Sequence, residues 1–359
     1  MATLFGSNYS RHQLLQHLGE ISQLAGVRLG ELGDGFERGV RVADFRTGSG
    51  FEFSVLLDRG MDIGWASFAG APISWRSPTT AKAPAFYESA GLGWLRGFHG
   101  GLLNTGGLTT FGAPSNDAGE ELGLHGRASY TPASHVGYGG SWEGDDYRMW
   151  VTGQLREAVV FGAYLVLRRR ISARLGESRL LIEDSVTNEG YQPTPQMILY
   201  HVNFGFPVVS GESELLASSA QVTPRDEVAA PGLEQHRRFQ EPSSGYQEQV
   251  FYHDLRADGE GYLQAAVVNR GFYNGRGLGG YVRFQREQLP RLVQWKMMGQ
   301  TYYVCGLEPA TNWVEGRAKE RAEGRLKLLQ PGETHHYRLE IGVLTSQAEI
   351  DAFAARLPG

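Results

Sequence analysis

The chain has 359 residues, 49 of them glycine, a formal net charge of −5 at neutral pH and a single cysteine, Cys305. The basic residues are dispersed, which disfavours a nucleic-acid partner, and one cysteine excludes an intrachain disulfide. No segment reaches the roughly 20 apolar residues that cross a bilayer, and no signal pattern opens the chain. We therefore expect a cytoplasmic protein without a membrane partner.

Helices are predicted only near the two ends of the chain. The first spans about 10–26, where Ser10 and Gln13 can form a capping box before leucines at helical spacing. The second spans about 346–357, with Ser346 and Glu349 as its cap. Both are expected to flank a structure built from sheets.

Between these helices, apolar and polar residues mostly alternate in short runs separated by Gly-rich or Pro-rich turns. The predicted strands are 51–57, 164–171, 179–186, 197–206, 262–268, 281–284, 292–298, 302–307 and 336–343. Many strands without βαβ alternation predict an all-β fold, a large antiparallel β-sandwich with a few flanking short helices. No composition break marks a boundary, so residues 1–359 are predicted to form a single domain.

Two long stretches, 72–127 and 210–249, show no regular periodicity. Loops of this length in a compact protein usually carry function or are disordered. We expect the first stretch to be functional, because it contains polar side chains that could bind a ligand. These are His99, Asn104, His125 and Arg127. The second stretch, 210–249, is expected to be an ordered surface loop.

The strand 197–206 is predicted to separate a core face from a polar face, because alternate side chains of a strand point in opposite directions. The core face carries only apolar and aromatic side chains: Ile198, Tyr200, Val202, Phe204 and Phe206. The other face presents His201 and Asn203 beside Gly205, as a ligand-facing surface would. A structural His–Asn pair that bonds a loop backbone is the alternative.

The strand 302–307 leads to Glu308, and Pro309 favours an extended backbone at that position. Its apolar face is predicted to hold Tyr303, Cys305 and Leu307. Glu308 belongs to the opposite face, beside aromatic residues and glycine, where burial would raise the pKa of its carboxyl group. This pattern allows two interpretations of Glu308, a functional carboxylate or an exposed glutamate at the end of a strand.

The segment Gly123–Arg127 is a third candidate, because glycines let a backbone approach a ligand closely and His125 and Arg127 can donate hydrogen bonds. A polar turn held by its own backbone is the alternative. A histidine-based metal site is the main competing chemistry. None of the histidines shows HxH or HxxxH spacing, and the single cysteine excludes a multi-thiolate site, so we expect no metal.

In chain order, three segments resemble the motifs of the aldose 1-epimerase family, within the galactose mutarotase-like superfamily: Leu124-His125-Gly126, Tyr200-His201-Val202-Asn203-Phe204 and Leu307-Glu308-Pro309. The resemblance covers most of the chain and implies a galactose mutarotase-like β-sandwich. It implies Glu308 as general base, His201 as general acid and His125 as a substrate-binding residue. Ala310 stands where the family usually carries Gln, and segments such as 57–63 are typical of an uncharacterised bacterial branch.

The reaction implied by the resemblance interconverts sugar anomers without a cofactor, through Glu308 and His201. Further substrate-binding residues are predicted: Arg59, Arg127, Asn203, Asp254 and Trp313, with Tyr302 as a second stacking candidate. Two other functions stay open, a non-catalytic carbohydrate-binding or regulatory protein and an isomerase or epimerase of a keto or acidic sugar. The expected partner is a small-molecule carbohydrate, and neither a nucleic acid nor a membrane is expected. The sequence is compatible with a homodimer.

Overall fold

Two large antiparallel sheets dominate the computed structural model, which describes residues 1–359. The first sheet has eleven strands, and Ala71–Pro72 pairs with one side of Asp62–Phe68. The order of the other strands across this sheet is Ser219–Pro224, Gln249–Leu255, Arg291–Met298, Tyr303–Ala310, Met197–Gly205, Leu103–Leu108, Asp62–Phe68, Phe51–Leu56, Arg41–Arg46 and Gly26–Glu31.

The second sheet has eight strands, in the order Ser134–Glu143, Asp146–Ala158, Tyr164–Arg174, Arg179–Asn188, Thr334–Leu344, Leu278–Gln285, Tyr262–Asn269 and Glu214–Ala217. One apolar cluster of 58 buried residues draws side chains from both sheets, for example Phe53 and Ile198 from the first and Leu167 and Ile182 from the second. The core therefore lies between the sheets. The predicted all-β antiparallel sandwich is confirmed.

The remaining elements are short. Four two-stranded sheets pair Ala2–Leu4 with Ser7–Tyr9, Trp75–Arg76 with Gly100–Gly101, Ser115–Asp117 with Glu120–Leu122, and Thr194–Pro195 with Leu328–Leu329. The α-helices are Arg11–Leu15, Arg317–Ala322 and Gln347–Ala355, and Phe272–Gly275 is a turn with left-handed backbone angles at Tyr273 and Asn274. Single 3₁₀ turns lie at Ile21–Gln23, Gly35–Glu37, Pro84–Phe86, Gly93–Gly97, Ala128–Tyr130 and Ala230–Gln235. None of the helices is long and apolar enough to cross a membrane.

The N-terminal helix predicted over 10–26 is wrong in its length, although its start is correct. Ser10 Oγ accepts the Gln13 backbone N–H at 3.2 Å, and the Ser10 N–H donates to Gln13 Oε1 at 2.8 Å. The helix nevertheless ends at Leu15, and the chain continues as the strand Gly26–Glu31, which pairs with Arg41–Arg46. Gly19 interrupts the helical pattern, and residues 16–25 form turns and the 3₁₀ segment Ile21–Gln23 instead. The C-terminal helix agrees with its prediction.

The stretch 72–127 is also not the irregular loop that was predicted, because it supplies the central strand Leu103–Leu108. Every residue of that strand is buried, so its sequence shows no apolar–polar alternation to reveal it. The stretch 210–249 likewise contains two sheet strands, Glu214–Ala217 and Ser219–Pro224.

The predicted division of faces on the two central strands is confirmed, with one exception. The core cluster includes the expected side chains Ile198, Tyr200, Val202, Phe204, Tyr303, Cys305 and Leu307. Phe206 is the exception, 66% exposed, because the strand ends at Gly205. His201, Asn203 and Glu308 therefore belong to the face of the eleven-stranded sheet that points away from the core.

Candidate active site

His201 and Glu308 meet on this outer face. The ladder pairs Val202 with Leu307, so the register sets His201 opposite Glu308 on the neighbouring strand. His201 Nε2 lies 3.2 Å from Glu308 Oε1, and the two side chains are only 7% and 3% exposed. Two residues that are more than a hundred positions apart in sequence thus form one nearly enclosed acid–base pair.

Asn203 fixes the hydrogen on the His201 ring. Its amide nitrogen donates to the carbonyl oxygens of His201 and Gly100, at 3.1 and 3.3 Å, which leaves its Oδ1 as an acceptor. That Oδ1 lies 2.6 Å from His201 Nδ1, so Nδ1 carries a hydrogen. The other ring nitrogen, Nε2, then shares a single proton with the carboxyl group of Glu308.

Burial moves both pKa values of this pair toward the uncharged forms. It raises the pKa of Glu308 well above its usual range, with the carboxylate of Glu248 acting in the same direction and Arg225 opposing it. It lowers the pKa of His201 to about 4, against the effect of the hydrogen bond to Asn203. His201 and Glu308 therefore form a buried, coupled pair whose protonation belongs to the pair and not to either residue alone.

Gly306 provides the space that the pair occupies. A Cβ atom at this position would lie 2.8 Å from Glu308 Oε1 and 3.4 Å from His201 Cε1. Gly306 shares the outer face with Glu308, two residues along the same strand. Any side chain here would push the carboxyl group away, so the contact requires glycine.

His125 approaches the pair from a loop. Its ring is edge-on to that of His201, with 5.8 Å between centroids, and burial lowers the pKa of His125 to about 3. Its φ of 55° is uncommon outside glycine, and backbone hydrogen bonds to Gly112 and Gly107, both 3.0 Å, hold it there. The Gly112 N–H also donates to His125 Nδ1 at 3.4 Å, which leaves an Nε2–H donor for a ligand.

An aromatic wall, formed by Trp75, Trp94, Phe98 and Trp295, surrounds the pair. The ring centroids of Phe98 and Trp295 lie 5.3 and 5.4 Å from that of His201. Trp94 stacks on Phe98 at 4.6 Å, and Trp75 is edge-on to Trp295 at 6.0 Å. This wall excludes water from the pair and offers the amphipathic ring surfaces that line small-molecule sites.

A charged pair closes the side of the site next to Trp295. Trp295 Nε1 donates to Glu248 Oε2 at 2.7 Å, and Arg225 Nη2 lies 3.2 Å from Glu248 Oε1. Arg225 Nε also donates to Asp226 at 2.7 Å. The charge of Arg225 is therefore balanced by two carboxylates of the protein.

Two of the predicted arginines make their contacts elsewhere. Arg127 is exposed, and its guanidinium carbon lies 5.9 Å from the ring centroid of Tyr87. Arg59 is fully buried and donates, at 2.7 to 2.9 Å, to the backbone carbonyl oxygens of Ser129, Lys82 and Gly97. These bonds tie the loop that carries part of the aromatic wall to the sheet.

The other predicted site residues lie at different distances from the pair. Asp254 forms an ion pair with Arg286 at 3.3 Å, and its side chain is 58% exposed. Trp313 stacks on Tyr252, with 4.3 Å between ring centroids. Tyr302 is 45% exposed at the outer edge of the aromatic wall. His125, His201, Asn203 and Glu308 are thus the predicted residues that the structure brings together.

Two further buried histidines, His99 and His253, have separate partners. His99 is buried beside the Asn104 amide, at 3.1 Å. His253 lies on the core face of its strand between Ser219 and Gln294, at 2.8 and 3.0 Å. No group of three or more His, Cys, Asp or Glu side chains comes together in a way that could hold a metal ion.

The aromatic wall is the part of the site that sequence reasoning missed. Strand alternation carried a partial signal, since Trp295 and Val293 share one face of the strand Arg291–Met298. Nothing local indicated that this face adjoins Glu308, because that depends on the pairing of Val293 with Glu308.

Comparison with solved structures defines the class of fold. A candidate aldose 1-epimerase from Klebsiella pneumoniae is 28% identical, with a TM-score of 0.87 over 93% of this chain and 88% of that one. A galactose mutarotase-like protein from Clostridium acetobutylicum is 15% identical, with a TM-score of 0.60 over 90% of this chain and 99% of that one. A candidate mutarotase from Salmonella typhimurium is 10% identical, with a TM-score of 0.55 over 89% and 94%. The fold is a galactose mutarotase-like β-sandwich.

The sequence itself defines the family. Residues 37–343 match the model described as domain of unknown function DUF4432, so the chain belongs to that family. No curated protein matches the sequence significantly.

Proposed function

We propose that this protein is an aldose 1-epimerase-like isomerase, which interconverts the anomers of a free sugar by general acid–base catalysis. The observation that carries the proposal is the contact between His201 and Glu308, with the shared proton set by Asn203. Opening a sugar ring requires one oxygen to lose a proton while another gains one. An acid and a base in contact at a nearly enclosed site are suited to that exchange.

In the proposed reaction Glu308 acts as the carboxylate and His201 as the imidazolium. Glu308 removes the proton of the anomeric hydroxyl while the bond between the anomeric carbon and the ring oxygen breaks, and His201 protonates that oxygen. The aldehyde group rotates and the ring closes on its other face. In this step Glu308 gives its proton back to the carbonyl oxygen, and His201 takes back the proton of the hydroxyl that re-forms the ring. The cycle consumes nothing and needs no cofactor.

The surroundings of the pair support a carbohydrate substrate. The aromatic wall supplies ring surfaces, and His125 presents a neutral Nε2–H donor that suits a sugar hydroxyl. Asn203 is already bonded to the His201 ring, so we assign it a positioning role. Similarity to a candidate aldose 1-epimerase and to mutarotase-like proteins supports the same reaction class.

The test is anomer exchange, measured by NMR on neutral, acidic and phosphorylated free sugars. We expect the wild-type protein to accelerate exchange of at least one sugar above the buffer rate. Glu308→Gln keeps the size of an uncharged carboxyl group but cannot accept the proton, so we expect it to lose about 10²–10⁴-fold of the acceleration. Glu183→Gln, exposed on the eight-stranded sheet, is the matched control and should keep it.

Unchanged exchange in Glu308→Gln would contradict its role as the base. Sugar binding without exchange would indicate a carbohydrate-binding or regulatory protein. Solvent deuterium entering a carbon position would indicate an epimerase of a keto or acidic sugar.

A further inference from the structure

Tyr252 carries a buried polar group that nothing in the protein satisfies. Its phenolic oxygen is shielded from solvent and has no hydrogen-bond partner. Buried hydroxyl groups are nearly always paired, because an unpaired one loses its bonds to water without replacement. A partner supplied from outside the chain would account for it.

Tyr252 is placed to meet a ligand that lies on Glu308. Tyr252 pairs with Val293, and Val293 pairs with Glu308, so the three side chains form a row on the outer face. Tyr252 and Glu308 are two strand spacings apart, roughly 9.6 Å between backbones. The stacking of Tyr252 on Trp313, at 4.3 Å, holds the phenol ring in place.

The charged pair links Tyr252 to the rest of the site. Arg225 follows the strand that pairs with Tyr252, and its backbone N–H donates to Val250, which lies opposite Trp295. Through Glu248 it reaches the indole nitrogen of Trp295, whose ring contacts His201. Tyr252 therefore lies on the same outer face as the catalytic pair, on the side of Trp295 and the charged pair.

The environment makes Tyr252 a neutral donor. Burial raises the pKa of its phenol, and the carboxyl groups of Glu315 and Glu308 act in the same direction while Arg225 opposes them. The phenol therefore keeps its hydrogen. A neutral phenol donor suits an uncharged oxygen acceptor, such as a sugar hydroxyl.

We infer that Tyr252 is a substrate-binding residue that donates its phenolic hydrogen to an uncharged hydroxyl oxygen of the sugar ring, on the side remote from His201. The inference rests on the proposed function, which supplies the orientation of the sugar. It extends that function by requiring a free hydroxyl at one defined ring position.

The first experiment is Tyr252→Phe, assayed for anomer exchange and thermal unfolding. We expect kcat/KM to fall about tenfold, mostly through KM, because the lost hydrogen bond forms equally in bound substrate and transition state. We expect Tm to stay the same or rise, because the deleted hydroxyl had no partner in the protein.

Tyr281→Phe is the matched control, since its hydroxyl donates to Glu340 at 2.7 Å far from the site. It should show the opposite result, a Tm lowered by about 2 °C with KM unchanged. A Tyr252→Phe protein with a lower Tm and an unchanged KM would overturn the inference, because the hydroxyl would then be structural.

The second experiment compares D-glucose and D-galactose with their monodeoxy analogues on the wild-type and Tyr252→Phe proteins. One deoxy sugar should lose about tenfold on the wild type and show no further loss on the variant, because both changes remove the same hydrogen bond. Additive losses for every analogue would overturn the assignment.

Binding of the same sugars to Glu308→Gln, with and without Tyr252→Phe, separates the two proposals. Weaker binding in the double variant together with absent exchange in the wild type would reject the proposed function and keep the Tyr252 contact. Catalysed exchange with identical binding would keep the function and reject the contact.

Discussion

Two buried polar clusters lie on opposite faces of the strand Met197–Gly205. Tyr200 belongs to the cluster on the core side, and the next residue, His201, belongs to the cluster on the outer side. On the core side Tyr200 donates to Asp184 at 2.7 Å, and Arg169 donates to both oxygens of the same carboxylate. On the outer side His201 contacts Glu308. Both clusters are buried, but they differ in how many of their polar atoms have a hydrogen-bond partner.

The core cluster is almost saturated. The guanidinium of Arg169, which is fully buried, also donates to the oxygens of Gly60, Thr105 and Asp62, between 2.9 and 3.4 Å. Only Asp62 Oδ2 lacks a partner there. The outer cluster has a shared proton, and the Tyr252 hydroxyl and Asn104 Oδ1 are unpaired. The core cluster joins the two sheets, whereas the outer cluster keeps unpaired polar atoms close to the proposed catalytic pair.

Removing the core cation should produce the largest effect. We expect Arg169→Leu to lower the free energy of unfolding by about 3–5 kcal/mol, because Asp184 and Asp62 would remain buried without their counter-charge. Urea unfolding measures the loss. The control is Arg168→Leu, since Arg168 is half-exposed and pairs with Glu189, and we expect less than about 1 kcal/mol. Equal losses in the two variants would show that burial does not distinguish these arginines.

On the outer face, the orienting hydrogen bond is the next most sensitive feature. We expect Asn203→Leu to slow anomer exchange by about 10–100-fold, because His201 loses the acceptor that fixes its Nδ1 hydrogen. Nitrogen NMR of the His201 ring should show a mixture of tautomers in the variant. Asn274→Ala, at an exposed turn, should change neither property. A single tautomer in Asn203→Leu would contradict the positioning role.

The smallest effect is a pH dependence of stability that comes from His201. Its pKa lies at about 4 in the folded chain and near 6.5 when unfolded, so between these values the unfolded chain binds the extra proton. The free energy of unfolding therefore falls as the pH falls through this window. Between roughly pH 7.5 and pH 5.5, we expect His201 to lower the free energy of unfolding by about 1 kcal/mol. This decrease should be absent in His201→Gln.

The other buried histidines, such as His125 and His253, shift in the same direction and are common to both proteins. Both proteins also carry Glu308→Gln, because the raised pKa of Glu308 acts in the opposite direction. Stability curves that run parallel with and without His201→Gln in this background would place the His201 proton differently from the structure. Chemical denaturation at the two pH values is sufficient to decide.

Several features could be predicted because they depend on neighbours in sequence. Alternation assigned Tyr200 and Cys305 to the core and His201 and Glu308 to the opposite face, since a strand's geometry imposes a period of two. The same reasoning failed for Leu103–Leu108, where both faces are buried and no alternation exists. It also failed for the first helix beyond Leu15, where residues 16–25 form turns and a 3₁₀ segment that lead into the strand Gly26–Glu31.

By itself, the sequence determined which side chains share a face and that the chain forms a β-sandwich, because these follow from local periodicity. Only the tertiary structure decided which strands are neighbours and in what register. That register brings His201 to Glu308, surrounds them with Trp295 and Phe98, and leaves Tyr252 without a partner. Strand pairing joins residues far apart in the chain, such as His201 and Glu308, so neighbours in sequence do not reveal which strands meet.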